Sequence, residues 1–214
     1  MKDWSPDHPK AKLMAGKRAA ILAAAKQSFL ASGYEGTSME GIAAAAGVSI
    51  MTLYRHAESK DDLFAAVIAM ACNPSDEEEE AKWAALMTMP LGDVLAILGS
   101  VMQENLTSPE TVALMRTVMA EATRFPHLAE MAYTSLIGHM QGFIEMILGE
   151  KVPGLGAPER KRLAELFVDR LMGTDLLRVL LGLGGISQSE RRARSERARD
   201  AVLERLAERA EATG

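Results

Sequence analysis

Thr37-Ser38-Met39-Glu40-Gly41-Ile42-Ala43-Ala44-Ala45-Ala46-Gly47-Val48-Ser49-Ile50-Met51-Thr52-Leu53-Tyr54-Arg55-His56, followed by Ala57-Glu58-Ser59-Lys60-Asp61-Asp62-Leu63-Phe64, reads as two short helices joined by a tight turn with a third helix behind them. Thr37 with Glu40 three residues on predicts a capping box at the first helix. Gly47 ends that helix, because a sharp helix-to-helix turn requires a left-handed residue and glycine takes that conformation without a Cβ penalty. Ser49 caps the second helix, and Ser59 with Asp62 caps the third. The small Ala43 lets two helices cross closely, while Ile42, Val48 and Leu53 can meet beneath them. This is the pattern of a helix-turn-helix.

Working outward, residues 1–11 carry Pro6, Pro9 and scattered charge without a helical period, and are expected to form a flexible arm. From about Leu13 to Ser32, Ile21, Ala25 and Phe29 recur at helical spacing with Leu22 and Leu30, and Gly33 closes the run. On the other side the third helix continues through Val67, Ile68 and Met70 to Cys72, where Asn73-Pro74 stops it. Ser75 then caps a new helix whose acidic first turn, residues 76–80, suits the positive end of the helix dipole. Further helices are expected over Asp76–Thr88, Leu91–Leu106, Glu110–Arg124, His127–Leu148, Glu159–Leu183 and Gln188–Ala210. The organisation that follows is an arm (1–11), a helix-turn-helix domain (12–72) and a helical body (73–214), all-α throughout. Abundant Ala, Leu, Met, Glu and Arg and scarce β-branched runs agree with that class.

The whole-chain net charge of −5 conceals an asymmetry. Between Lys10 and His56 six basic residues stand against two acidic ones, a net of +4. A basic end on an acidic body fits a protein that meets phosphates with one end. The single Cys72 excludes an intramolecular disulfide and is read as an inert thiol of a reducing compartment, with a redox role as the alternative. The most apolar stretch, Leu163–Leu183, is broken by five charged residues, so a soluble cytoplasmic protein is expected. No catalytic residue, metal site or cofactor is expected, since metal-spaced His or Cys, a phosphate-binding glycine loop and a nucleophile elbow are all missing.

Ser32-Gly33-Tyr34-Glu35-Gly36-Thr37-Ser38, Ala46-Gly47-Val48-Ser49, Thr52-Leu53-Tyr54-Arg55-His56 and Ser59-Lys60-Asp61-Asp62-Leu63-Phe64 closely resemble the DNA-binding domain of the TetR family of bacterial transcriptional repressors. The body is more weakly similar to the ligand-binding and dimerisation region of that family, with Met115–Tyr133 most like its AefR-like branch. The resemblance implies a DNA-binding set of Lys17, Arg18, Thr37, Ser38, Ser49, Ile50, Met51, Thr52, Tyr54, Arg55, His56 and Lys60. Within it Lys17, Arg18, Tyr54, His56 and Lys60 fall on phosphate-contacting positions, and Ser38 and Thr52 are hydroxyl donors. Two departures stand out. Ile50 and Met51 replace the usual basic and small residues; facing the groove they would read thymine methyls, and turned inward they would be partly core. Ala57 stands where a Phe is usual, leaving space that Phe64 or Met39 could enter.

In the body, Glu121 edges the stripe Leu114, Met115, Val118, Met119 and Ala122, His139 shares an apolar arc with Leu128, Ala132, Leu136, Phe143 and Met146, and Met102, Met115, Met119, Met140 and Phe143 are the expected lining of a ligand cavity. Glu121 and His139 are each either a buried group satisfied by a neighbour or a polar handle in that cavity. Glu159–Leu183 is apolar almost all round, which predicts core on one side and a twofold partner on the other. Phe167, Leu171, Leu177 and Leu181, with Val202 and Leu206 of the last helix, are the expected dimer residues. The arginine-rich start of that last helix reads as a solvated charged face, with a second nucleic-acid surface as the alternative. The expectation is a homodimeric, ligand-responsive repressor that binds double-stranded DNA at an inverted repeat and is released by a small apolar effector, without a membrane partner. The alternative is a small-molecule-binding or interaction protein with a degenerate DNA-binding head.

Overall fold

The computed structural model describes residues 8–72 and 79–213. Of the arm expected over residues 1–11, residues 1–7 lie outside the described residues, as do the stop and cap expected over residues 73–78, whereas Pro9 and the residues after it are helical, a correction to the arm. Among the described residues every regular element is helical: α1 (Pro9–Ser32), α2 (Met39–Ala45), α3 (Ile50–Tyr54), α4 (Lys60–Cys72), α5 (Glu79–Thr88), α6 (Leu91–Leu106), α7 (Pro109–Glu121), α8 (Pro126–Tyr133), α9 (His139–Lys151), α10 (Ala157–Leu180) and α11 (Gln188–Thr213), with a π turn at Thr134–Gly138 between α8 and α9. Helix α1 starts at Pro9, ahead of the expected Leu13, as a proline fits the first helical turn where its missing N–H costs nothing.

The chain divides into two compact units. In the first, Ala113–Ala132 joins the chain up to Met70, a segment that a boundary at residue 73 leaves with the body. Ile21, Ala25 and Phe29 of α1, Ile42 of α2, Leu53 of α3, and Leu63, Phe64, Val67 and Ile68 of α4 make its buried centre. Phe64 meets Phe29 edge-on with ring centroids 4.9 Å apart and Tyr34 at 5.4 Å, and Tyr34 meets Phe125 at 5.2 Å. Polar ties join the same places: Tyr34 donates to Asp61, His127 Nε2 lies 3.2 Å from the Asp61 carboxylate, and Arg124 holds Glu35 with both terminal nitrogens. The Arg124 guanidinium keeps the Glu35 carboxyl below its ordinary pKa. Aromatic burial supplies the larger share of such a contact, because exposed ion pairs are screened by water and contribute little.

The second unit is Ala71–Val112 with Tyr133–Gly214. Here α6 packs along α11 and α10, and α9 along α10. Small residues set the α6–α11 crossing: a Cβ on Gly99 would meet Ser195 Cβ at 3.1 Å and Phe167 Cζ at 3.2 Å, and the buried Ser195 Oγ donates to the Ala96 carbonyl at 2.7 Å. At the start of α11 Ser187 and Glu190 form a capping box: Ser187 N donates to Glu190 Oε2 at 2.7 Å, and Ser187 Oγ accepts from Glu190 N at 3.2 Å.

Two expectations for the long helices are corrected. A single helix was expected over His127–Leu148; the π turn instead inserts one residue into the helical register. The buried series therefore runs Leu128, Ala132, Leu136, Met140, Ile144 and Ile147. His139 and Met146, which a constant 100° step puts on that arc, turn outward. Likewise α10 is broken at Gly173, where φ 51 and ψ −167 leave the helical region, and it ends at Leu180.

Candidate nucleic-acid interface and body sites

The turn between α2 and α3 follows from its caps. Ser38, one residue later than expected, is the N-cap of α2 and accepts from Gly41 N at 3.1 Å. Thr37 is buried, and its hydroxyl donates to the Gly33 carbonyl at 2.7 Å, so it braces the preceding turn rather than capping the helix. Gly47 takes φ 65, and Ser49 Oγ accepts from Thr52 N at 3.2 Å and bonds the Thr52 hydroxyl at 2.9 Å. These bonds set the direction of the five-residue α3, which is too short to be stable by itself.

On α3 the expected groove residues separate cleanly. Met51 is 67% exposed and Tyr54 and Arg55 are exposed, while Ile50 and Thr52 are half-buried and Leu53 is core. Met51 is therefore not drawn into the space beside Ala57; Ala57, Met39 and Phe64 are themselves buried. Lys17 and Arg18 are exposed on α1, and their charge reaches His56: partial burial chiefly, then Arg18 and Lys17, lower its pKa below the ordinary histidine value. Lys17 and Arg18 thus lie near enough to His56 for their charges to act on it. Lys60 has a structural role beside the phosphate contact expected of it. Its ammonium donates to the Tyr34 carbonyl at 2.8 Å and the Thr37 carbonyl at 3.0 Å, and it sits 4.2 Å over the Tyr34 ring, so it fastens α4 to the turn before α2.

The expected ligand residues are not brought together in one unit. Met115, Met119 and Glu121 belong to the first, and Met102, His139, Met140 and Phe143 to the second. Met119 is exposed, whereas Met140 is buried and Phe143 packs on Trp83 with centroids 5.1 Å apart. His139 is exposed, with Nδ1 2.7 Å from the Ser135 carbonyl, which removes it from the apolar arc. Glu121 is half-buried beside Gly33, where its carboxylate lies 3.1 Å from the place a Cβ would occupy.

The expected dimer residues also divide. Phe167, Leu171 and Val202 are fully buried within the chain, a correction, because an all-round apolar helix does not reveal which side its own core covers. Leu206 is half-buried. Leu177 and Leu181, at 55% and 62% exposure, and Leu183 present free apolar surface.

Buried polar residues that sequence reasoning passed over include Gln103, on the apolar stripe of α6, and Ser195 on α11, beside which Arg194 is partly buried. Gln103 was visible in principle: it continues the buried series Val94, Leu95, Leu98 and Gly99 at helical spacing. Among the described residues no group of His, Cys, Asp and Glu could hold a metal ion, and no helix is long and apolar enough to cross a membrane.

The model for bacterial regulatory proteins of the tetR family matches residues 21–67, and that for the AefR-like transcriptional repressor C-terminal domain matches residues 93–207. A TetR-family transcriptional regulator from Mesorhizobium loti is 25% identical, with a TM-score of 0.67 over 89% of this chain and 96% of its own. The Flavonoid-responsive Regulator FrrA is 27% identical, with a TM-score of 0.57 over 88% of this chain and 95% of its own. A TetR transcriptional regulator from Agrobacterium tumefaciens, 22% identical with a TM-score of 0.61 over 87% of this chain and 92% of its own, shares the fold. No curated protein matches the chain.

Proposed function

Because the chain belongs to the TetR family of transcriptional regulators, with the AefR-like C-terminal domain, we propose that it is a cytoplasmic homodimeric repressor that binds an inverted-repeat operator and releases it on binding a small apolar effector. The observation that carries the DNA-binding half is the presentation of α3: Met51, Tyr54 and Arg55 stand exposed, with Lys17, Arg18 and His56 in the same unit to meet phosphates. Phosphate contacts set register, and base edges carry sequence information. A dimer doubles this reading, since two recognition helices meet two half-sites about one helical turn apart. An effector acts by favouring a spacing of the heads that cannot meet both half-sites together. A relative whose name describes a flavonoid-responsive regulator makes polyphenols the first effectors to screen.

Selection of the purified protein on a randomised duplex library, followed by a salt series on the winners, tests this reading. An enriched inverted repeat, bound far more tightly than random duplex, is the expected outcome. Weak, steeply salt-dependent binding without a motif would mean that basic charge alone acts on DNA, and that the chain is a ligand-binding or interaction protein with a degenerate head.

A further inference from the structure

The break in α10 exposes main-chain polarity inside the second unit. At Gly173 the backbone leaves the helical region, with φ 51 and ψ −167, and main-chain polar groups beside such a departure need partners from elsewhere. The Leu171 carbonyl is taken by Gln103 of α6, whose Nε2 donates to it. Gln103 is only 1% exposed, and Oε1 of the same amide accepts no bond. From α11, Arg194 lies against the same break, so close that a Cβ on residue 173 would meet its Cζ at 2.7 Å. Its terminal Nη2 pairs with Asp175, while its buried Nε–H donates to nothing. An open acceptor and an open donor, brought from two helices to one helix break, are a rare expense in a folded interior and call for a partner.

We propose that the break at Gly173 is the polar seat of the effector site, and that it takes a neutral, hydroxylated apolar ligand. The ligand hydroxyl donates to Gln103 Oε1, and a ligand oxygen accepts from Arg194 Nε. A carboxylate does not suit the seat: it has no proton for Gln103, and the guanidinium that would attract it is already neutralised by Asp175. This assignment rests on the body being ligand-responsive and adds the chemical class of the effector.

A matched series tests it: 4-octylphenol, 4-octylanisole and 4-octylbenzoate, titrated calorimetrically into the full chain and into Gln103→Leu. The wild type is expected to bind the phenol about tenfold more tightly than the ether, in which a methyl replaces the donated proton, and to discriminate similarly against the carboxylate. In Gln103→Leu the phenol and ether should bind within about twofold of each other. That variant also strands the Leu171 carbonyl, so its cooperative thermal unfolding is recorded; the wild-type comparison of phenol with ether stands without any variant. Equal affinity for phenol and ether, tightest binding of the benzoate, or no binding of the three would overturn the assignment and leave a seat filled by water. A phenol that binds as expected yet leaves operator affinity unchanged would instead overturn the ligand-responsive reading while the seat stands.

Discussion

At the residue scale, the proposed DNA readout puts specificity on Met51. An apolar side chain that is 67% exposed in the middle of α3 cannot make a bidentate contact to guanine, but it can cover a thymine methyl. Replacing thymine by deoxyuridine under α3 removes only that methyl and should weaken wild-type binding about fourfold per methyl, with no effect on Met51→Ala. Electrophoretic mobility titrations of the four combinations would decide it; equal affinity of the wild type for both duplexes would remove Met51 from the readout. His56 supplies a second test. Its lowered pKa means that the free protein holds it neutral near neutrality, chiefly through burial and then through Arg18 and Lys17. A phosphate beside the ring favours the charged form, so binding would take up a proton and affinity would rise as the pH falls from about 7.5 to about 5.5. His56→Gln should flatten that slope. If the variant keeps the slope, His56 does not face phosphate.

At the element scale, the crossing of α6 over α11 is a packing constraint. Adding one methyl at Gly99 drives it into Ser195 and towards Phe167, both held in the core. Gly99→Ala should cost about 1–3 kcal/mol in denaturant unfolding, despite the better helix propensity of alanine. Ser195→Ala removes the hydroxyl nearest that methyl, so the double variant should be more stable than the two single losses summed. Strict additivity would show that Phe167, rather than Ser195, sets the distance. The π turn works on the same scale in the opposite sense, because a single inserted residue transfers burial from positions 139 and 146 to positions 140 and 147.

At the scale of the whole molecule, the exposed apolar residues of α10 and the loop after it bear on assembly. Leu177, Leu181 and Leu183 stand more than half exposed, and a twofold partner would bury them. Leu177→Asp combined with Leu181→Asp is therefore expected to yield monomers in sedimentation velocity with unchanged helicity, and to abolish tight operator binding, since a single head holds one half-site. A double variant that stays dimeric would place the interface elsewhere.

What the sequence determined by itself was local. Helical composition set the class, and Gly33, Gly47, Ser49, Ser59 and Ser187 set turns and caps, because each acts through hydrogen bonds or dihedral freedom within four residues of its own position. The head with its α3 was legible for that reason. Other features depended on atoms distant in the chain: the pairing of Ala113–Ala132 with the head, the bonding of Lys60 to two carbonyls, and the burial of Phe167, Leu171 and Val202. Gln103 and Arg194 belong with these, since each meets α10 from another helix. Periodicity states that a helix has an apolar side, but which neighbour covers it, and where a π turn shifts its phase, is decided only when the helices pack.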